Sequence, residues 1–408
     1  MTLEFNKVEP QVQRMGRALA ARTMTLNERL EAAWARLLAQ DDLEVIHARI
    51  QLARERDVGF RGAAPLNEPI NVAYPLPPLP PRATIIAADG SQVYPSIHAA
   101  ALYYLTNIGV FVYHHGTGDL PEQITEPTLF YNENDVHDEN GQAITNAAVN
   151  ARRSVAELQL LARETWNRRS PDGPLLAIGD GPLLFWVGKD VPDGKRLEQD
   201  YLAALVHLHD AHASMQSVYG QSASVIGYVD RPTSAFFVSL LHLLGLDHDD
   251  VREAALKNNG DLEGLIDQPL MFRLLKPGER SAVMVQQSPQ NKRYHDKGES
   301  YEIAFFYLNV GNQQGYHLAR VEMPMWVARS RALLDCVHAL TFDQCQLMWR
   351  YPYALTRADE LAVIRAAERA QLDDMIEIEL LRNEQLVERS EKLESKTVRH
   401  GRTRYRPI

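Results

Sequence analysis

Residues 83–96 read Ala-Thr-Ile-Ile-Ala-Ala-Asp-Gly-Ser-Gln-Val-Tyr-Pro-Ser, and the reading of this stretch decides the architecture. Thr84 to Ala88 is a short β-branched, apolar run with the composition of a buried strand. Asp89-Gly90-Ser91 reads as its stop, because Asp and Gly are turn residues and Gly reaches backbone angles that others avoid. One carboxylate is then expected at the exit of a core strand. α/β proteins place chemistry there, since the sheet fixes the position and the loop admits the substrate. An ordinary hairpin turn has the same Asp-Gly-Ser composition, so the triplet needs company before it means a site.

That company lies downstream. Pro174 to Ile178 is another short buried strand, closed by Gly179-Asp180-Gly181-Pro182. Between the two strands, Ala147 to Trp166 carries Ala, Val and Leu at helical spacing. A helix over 197–218, a strand over Ser224–Val229 ending at Asp230 and a helix over 233–244 continue the alternation, which indicates an α/β layer architecture. Strand-like runs follow at 281–286, 302–309 and 317–323, then a helix over 326–347, the Tyr351-Pro352-Tyr353 break and a helical tail from Leu355. The aromatic block from Ala99 to Tyr113 reads as two strands joined by a tight turn at Asn107-Ile108-Gly109. Residues 118–145 read as polar loop.

Upstream, residues 1–60 are helical in pattern, with Leu26, Leu30, Ala33 and Leu37 and then Leu43, Ile46 and Ile50 in register. Pro75-Leu76-Pro77-Pro78-Leu79-Pro80-Pro81 is a stiff segment and the clearest boundary. The expected division is a helical arm (1–74), a Pro-rich linker (75–82), an α/β domain (83–370) and a helical, basic tail (371–408) with Arg399, Arg402, Arg404 and Arg406.

With 408 residues, 45% hydrophobic and 24% charged, the composition is that of a globular protein with a sizeable core. No apolar run approaches the roughly 20 residues of a membrane-spanning helix. Met1 to Pro10 has no apolar signal core, which points to a cytoplasmic protein. Cys336 and Cys345, on one helix, would stand about 13 Å apart and remain reduced. A net charge of −10 argues against binding polyanions through bulk charge. A carboxylate cluster counts as negative in sequence yet is neutralised by a bound cation, so nucleic acid stays open.

Two or three carboxylates converging from Asp89 and Asp180 would suit a hard divalent cation, Mg²⁺ or Mn²⁺, able to activate water at a phosphodiester. The helix between the strands offers Glu157 and Glu164, seven residues apart on one face, either of which could reach the site. Competing signals are weaker. His209 and His212 could share a zinc ion, but no third-ligand motif accompanies them. Asp247-His248-Asp249-Asp250 reads as a solvated loop. Ser91 lacks a G-x-S-x-G elbow, and no P-loop or dinucleotide fingerprint is present.

Together these stretches resemble the NurA family of nucleases, which work with the hexameric HerA translocase. The resemblance runs from Ala83 to Ala370. It takes in Asp89-Gly90-Ser91, Arg153 with Ala156-Glu157-Leu158, Asp180-Gly181-Pro182-Leu183, Gly227-Tyr228-Val229, Arg320-Val321-Glu322-Met323-Pro324 and Tyr351-Pro352. It implies an RNase H-like mixed sheet flanked by helices, a Mn²⁺ or Mg²⁺ site, a homodimer, and 5′-to-3′ exonuclease with single-strand endonuclease activity on DNA, fed by a HerA-like hexameric ATPase. By the same resemblance Asp89 and Asp180 match metal carboxylates, Glu157 the acid between them with Glu164 as its alternate, and Tyr351 a late tyrosine. The family usually has an Ala-His pair eight residues after that tyrosine; here Ala358 is followed by Asp359. An Asp can bind a metal but cannot supply a neutral imidazole. Two rivals follow: a NurA-like scaffold for a motor ATPase whose site has decayed, and an RNase H-like enzyme acting on RNA or a phosphorylated small molecule.

Overall fold

The structure is a computed structural model that describes residues 3–40, 42–57, 59–96, 99–138, 140–189, 191–312, 315–348 and 350–383. The basic segment from Lys396 onward lies outside the described residues. Among the described residues there are nine strands: β1 (Gly62–Pro65), β2 (Ala83–Val93), β3 (Tyr104–His115), β4 (Glu122–Phe130), β5 (Leu175–Asp180), β6 (Ala223–Asp230), β7 (Met284–Gln287), β8 (Ile303–Asn309) and β9 (Leu318–Pro324). It divides into two compact units. One comprises Met1–Pro80, Gly181–Leu184 and Ser224–Pro352; the other comprises Pro81–Asp180, Phe185–Ala223 and Tyr353–Ile408.

The second unit holds the carboxylates. Its strands run in the order β4-β3-β2-β5, with β2, β3 and β4 an antiparallel meander and β5 parallel to β2. This is the mixed, RNase H-like arrangement. Ile85, Ile86, Ala87 and Ala88 are buried on both faces, which is why the run is continuously apolar instead of alternating. The strand does not stop at Asp89. Pairing with β3 continues without a break through Asp89↔Gly109 and Gly90↔Ile108 to Val93↔Leu105. The expected turn at Asn107-Ile108-Gly109 is likewise the interior of one continuous strand. Within 118–145, β4 is a true strand, although its residues are mostly exposed.

Helix Asn146–Asn167 is capped by Thr145, whose hydroxyl accepts from the backbone N–H of Ala148. It buries Val149, Val155, Leu158 and Leu161 against the strands and against helix Gly194–Tyr219, which ends on Gly220 in the left-handed region (φ 64°). Helix Tyr353–Ala362 packs on β2 and β3, burying Ala354, Leu355, Ala358 and Ala362. The tail expected as one helix from Leu355 is interrupted after Ala362 and resumes as helix Ala366–Arg382.

In the other unit the order is β1-β7-β8-β9-β6, every neighbouring pair antiparallel. β8 and β9 are buried along their whole length. Helices Phe5–Leu38 and Leu43–Arg56 contribute Ala33, Leu37, Ile46 and Ile50 to a core shared with Phe237, Leu241 and Phe305. The run expected as one helix over 326–347 is two, Met325–Ala328 and Arg331–Leu347, because Ser330 caps the second by accepting from Leu333 N–H. Cys336 and Cys345 are free thiols. Among the described residues no helix is long and apolar enough to cross a membrane.

Candidate active site

β2 and β5 are matched through Ala88↔Gly179, so one step further Asp89 stands beside Asp180. Parallel partners point to the same face of a sheet, and successive residues to opposite faces. Asp89 therefore shares its face with Asp180 and with its antiparallel partner Gly109. On that face Gly109 lies under helix Tyr353–Ala362, where a Cβ would meet the Ala358 carbonyl and stand 2.8 Å from Ala362 N. Its lack of a side chain lets the helix bearing Asp359 cross close to Asp89.

Gly90 makes the complementary gap on the opposite face. A Cβ there would collide with Glu157 Oε1 and lie 2.8 Å from Ile108 Cδ1. The Glu157 carboxylate occupies the space that any other residue at 90 would fill. Of the two acidic residues on its helix, Glu157 is the one beside the strand. Glu164 is instead bonded by Arg163 and Arg168.

Arg153 organises this corner. Its Nη1 donates to Gly90 O and to Gln92 Oε1, each at 2.9 Å. Its Nε lies 3.0 Å from Glu157 Oε1, but the two are misaligned, and both atoms are buried without a hydrogen bond. The sequence signal for this contact is the i,i+4 spacing of Arg153 and Glu157 on one helix.

The carboxylates feel one another. Burial above all, then the charges of Asp180 and Asp359, push Asp89 up to about 6, against a bond from Gly90 N–H and the charge of Arg153. Burial also pushes Glu157 up to about 7, with Asp89 and Asp180 adding to the rise and Arg153 opposing it. Among the described residues no three His, Cys, Asp or Glu side chains are drawn together as a finished metal-holding group. The donor set still suits a hard divalent cation. It is all oxygen, and Glu157 Oε1 is a buried acceptor with nothing bonded to it.

Tyr351 belongs to the other unit, where its ring packs edge-on against Tyr228 at 5.3 Å. The histidines of helix Gly194–Tyr219 are engaged in packing: His207 lies against Trp166, and His212 Nδ1 accepts from Ala223 N–H at 3.3 Å. Asp247 to Asp250 forms a 3₁₀ turn over His248–Asp250.

The arrangement is that of an RNase H-like α/β protein with carboxylates gathered about its β2 and β5 strands. Residues 83–364 match the model of the NurA domain, and the chain belongs to the NurA family of nucleases. Among solved structures it is similar to the NurA nuclease from Sulfolobus solfataricus, at 10% identity and a TM-score of 0.47, covering 92% of this chain and 98% of that one. A structure of NurA with manganese matches at 10% identity and a TM-score of 0.38, covering 89% and 98%. Human ENDOV matches at 14% identity and a TM-score of 0.30, covering 71% and 85%. No curated protein matches this chain.

Proposed function

We propose that the chain is a divalent-metal-dependent deoxyribonuclease, with residues 83–370 as its nuclease domain and residues 1–74 and 371–408 as extensions. The observation that carries this reading is the adjacency of Asp89 and Asp180 on parallel strands, with an unbonded Glu157 oxygen at the gap left by Gly90. Asp89, Glu157, Asp180 and Asp359 would hold one or two Mn²⁺ or Mg²⁺ ions. A bound ion of this kind lowers the pKa of a water and neutralises charge at phosphorus during hydrolysis. The protein's part is to present deprotonated carboxylates at fixed places. β2 and β5 set Asp89 and Asp180, Arg153 steadies the Glu157 edge, and Gly109 brings Asp359 in. Tyr351 is assigned to positioning substrate or water.

The finer reading is 5′-to-3′ exonuclease and single-strand endonuclease activity on DNA, in a cytoplasmic homodimer working with a HerA-like hexameric ATPase in end processing. Family membership supports it. The test incubates purified protein with end-labelled DNA and Mn²⁺, alone and with the motor, beside an Asp89→Ala variant. Loss of cleavage in the variant alone supports the assignment. Equal degradation by both proteins, or none by either with the motor present, removes it. A second reading, a scaffold whose site has decayed, is favoured by Asp359 where the family usually has His. It requires that no cleavage appear under any metal while the motor still binds. Parallel RNA substrates address the remaining rival.

A further inference from the structure

At the far end of β2 from the carboxylates, three segments of the same unit enclose a cavity of about 510 Å³. They are the start of β2 with Arg82 and Thr84, the turn after β3 with Thr117, and the exit of the Glu157 helix with Arg168, Arg169 and Ser170. Six residues of strand separate Ala83 from Asp89, about 20 Å. Close backbone approach builds the walls. A Cβ on Gly116 (φ +72°) would overlap the Pro81 carbonyl, and one on Gly173 (φ +134°) would stand 2.6 Å from Arg82 O. Both sites need glycine for space and for backbone angle.

The two arginines at the helix exit differ. Arg168 is neutralised by Glu122, at 2.7 Å, and by Glu164. Arg169 has its guanidinium carbon 3.3 Å from the centre of the Trp166 ring. Its Nε and Nη1 are buried with no hydrogen-bond partner. The stack on Trp166 holds a positive charge at the cavity wall, where an anion entering the cavity meets it. Thr117 and Ser170 hydroxyl oxygens accept from Asp119 and Asp172 N–H, which leaves each O–H to donate. Asp119 and Asp172 also line the cavity, but both are exposed, and water screens their charge. Donors converging from several sides suit a tetrahedral anion better than a planar carboxylate.

We propose that this cavity is a phosphate-binding site, separate from the carboxylates and filled either by a phosphate of the nucleic-acid backbone or by free phosphate. It goes beyond the nuclease reading and stands whether or not the chain cleaves DNA.

The test uses the full-length chain in EDTA, so that no cleavage is read, with Arg169→Gln and the exposed Arg82→Gln as variants. The second variant guards against a folding defect in the first. Thermal unfolding is followed in sodium phosphate against sodium chloride of equal ionic strength, and binding of a labelled single-stranded oligonucleotide by anisotropy. Phosphate is expected to raise the wild-type Tm beyond chloride, and to do so in neither variant. About tenfold weaker oligonucleotide binding in both variants assigns the site to the nucleic-acid backbone. Unchanged oligonucleotide binding with the phosphate effect lost assigns it to free phosphate. If phosphate acts as chloride does and both variants bind oligonucleotide like the wild type, the proposal is overturned. It is equally overturned if the folded variants keep the full phosphate effect.

Discussion

Asp89 and Asp180 stand side by side on parallel strands, one step beyond the Ala88↔Gly179 pair. The proximity of like charges raises Asp89 on top of its burial, and Asp180 helps raise Glu157 too. Uncharged, these groups are poor ligands. Charged and unneutralised, they repel. A divalent cation resolves the conflict, and its binding therefore competes with protons.

The first expectation follows in sign. A ligand carboxylate must lose its proton to bind metal. Asp89, at about 6, and Glu157, at about 7, are still largely protonated at mildly acidic pH. Mn²⁺ affinity measured by calorimetry is expected to rise as pH climbs through these values and to level off only about one unit above the higher of them, near about pH 8, with protons released on binding. In Glu157→Gln the upper part of that rise disappears and cleavage falls about a hundredfold. An affinity flat between about pH 5 and about pH 8 would refute this role for the two groups.

Arg153 opposes the rise of both carboxylates. Arg153→Met removes that opposition, so Glu157 and Asp89 should hold their protons to higher pH. The expected result is a pH–rate profile whose acidic limb moves to higher pH, with the plateau rate recovered above it. A variant with a lowered plateau and an unmoved limb would show that Arg153 matters only for packing.

The two glycines separate site from scaffold. At Gly90 an added methyl meets the end of a flexible side chain, Glu157, and at Gly109 it meets the Ala358 backbone. Gly90→Ala is expected to weaken Mn²⁺ binding with little change in Tm. Gly109→Ala pushes back the Asp359 helix and should cost about 1–3 kcal/mol of stability, seen in urea unfolding. The reverse ranking of the two stabilities would contradict this packing.

The same glycines mark where the sequence misleads. Asp89-Gly90 and Asn107-Ile108-Gly109 have turn composition, but here Gly is used because helices and a carboxylate press against two paired strands. Local propensity lost to tertiary contact. β4 was illegible for the opposite reason: it is an exposed strand, with Pro127 and charged residues where an edge is kept from pairing further. The apolar runs around Ile86 and Ile178 were readable because burial on both faces leaves no other composition. The spacing of Glu157 and Glu164 could not choose between them, since seven residues return to one helix face. Their separate partners, Arg153 on one and Arg168 on the other, are what distinguish them.

In the other unit, Asp267 is fully buried and accepts from Phe237 N–H, Val238 N–H and the Tyr307 hydroxyl, tying the start of helix Phe236–Leu244 to β8. Burial outweighs those bonds and pushes it up to about 6 from an ordinary value of 3.8. The folded state thus holds this proton more tightly than the unfolded chain. Its contribution to stability is complete below about pH 4 and is lost as pH rises through about 6, on the order of 2–3 kcal/mol. Asp267→Asn carries no titrating proton, so unfolding free energies measured from about pH 4 to about pH 7 should fall less steeply in the variant than in the wild type. Asp89 and Glu157 lean the same way and are common to both proteins, so the difference between the two curves isolates Asp267. Parallel curves would mean that Asp267 is ionised in the folded protein across the whole range, its charge held by the three hydrogen bonds.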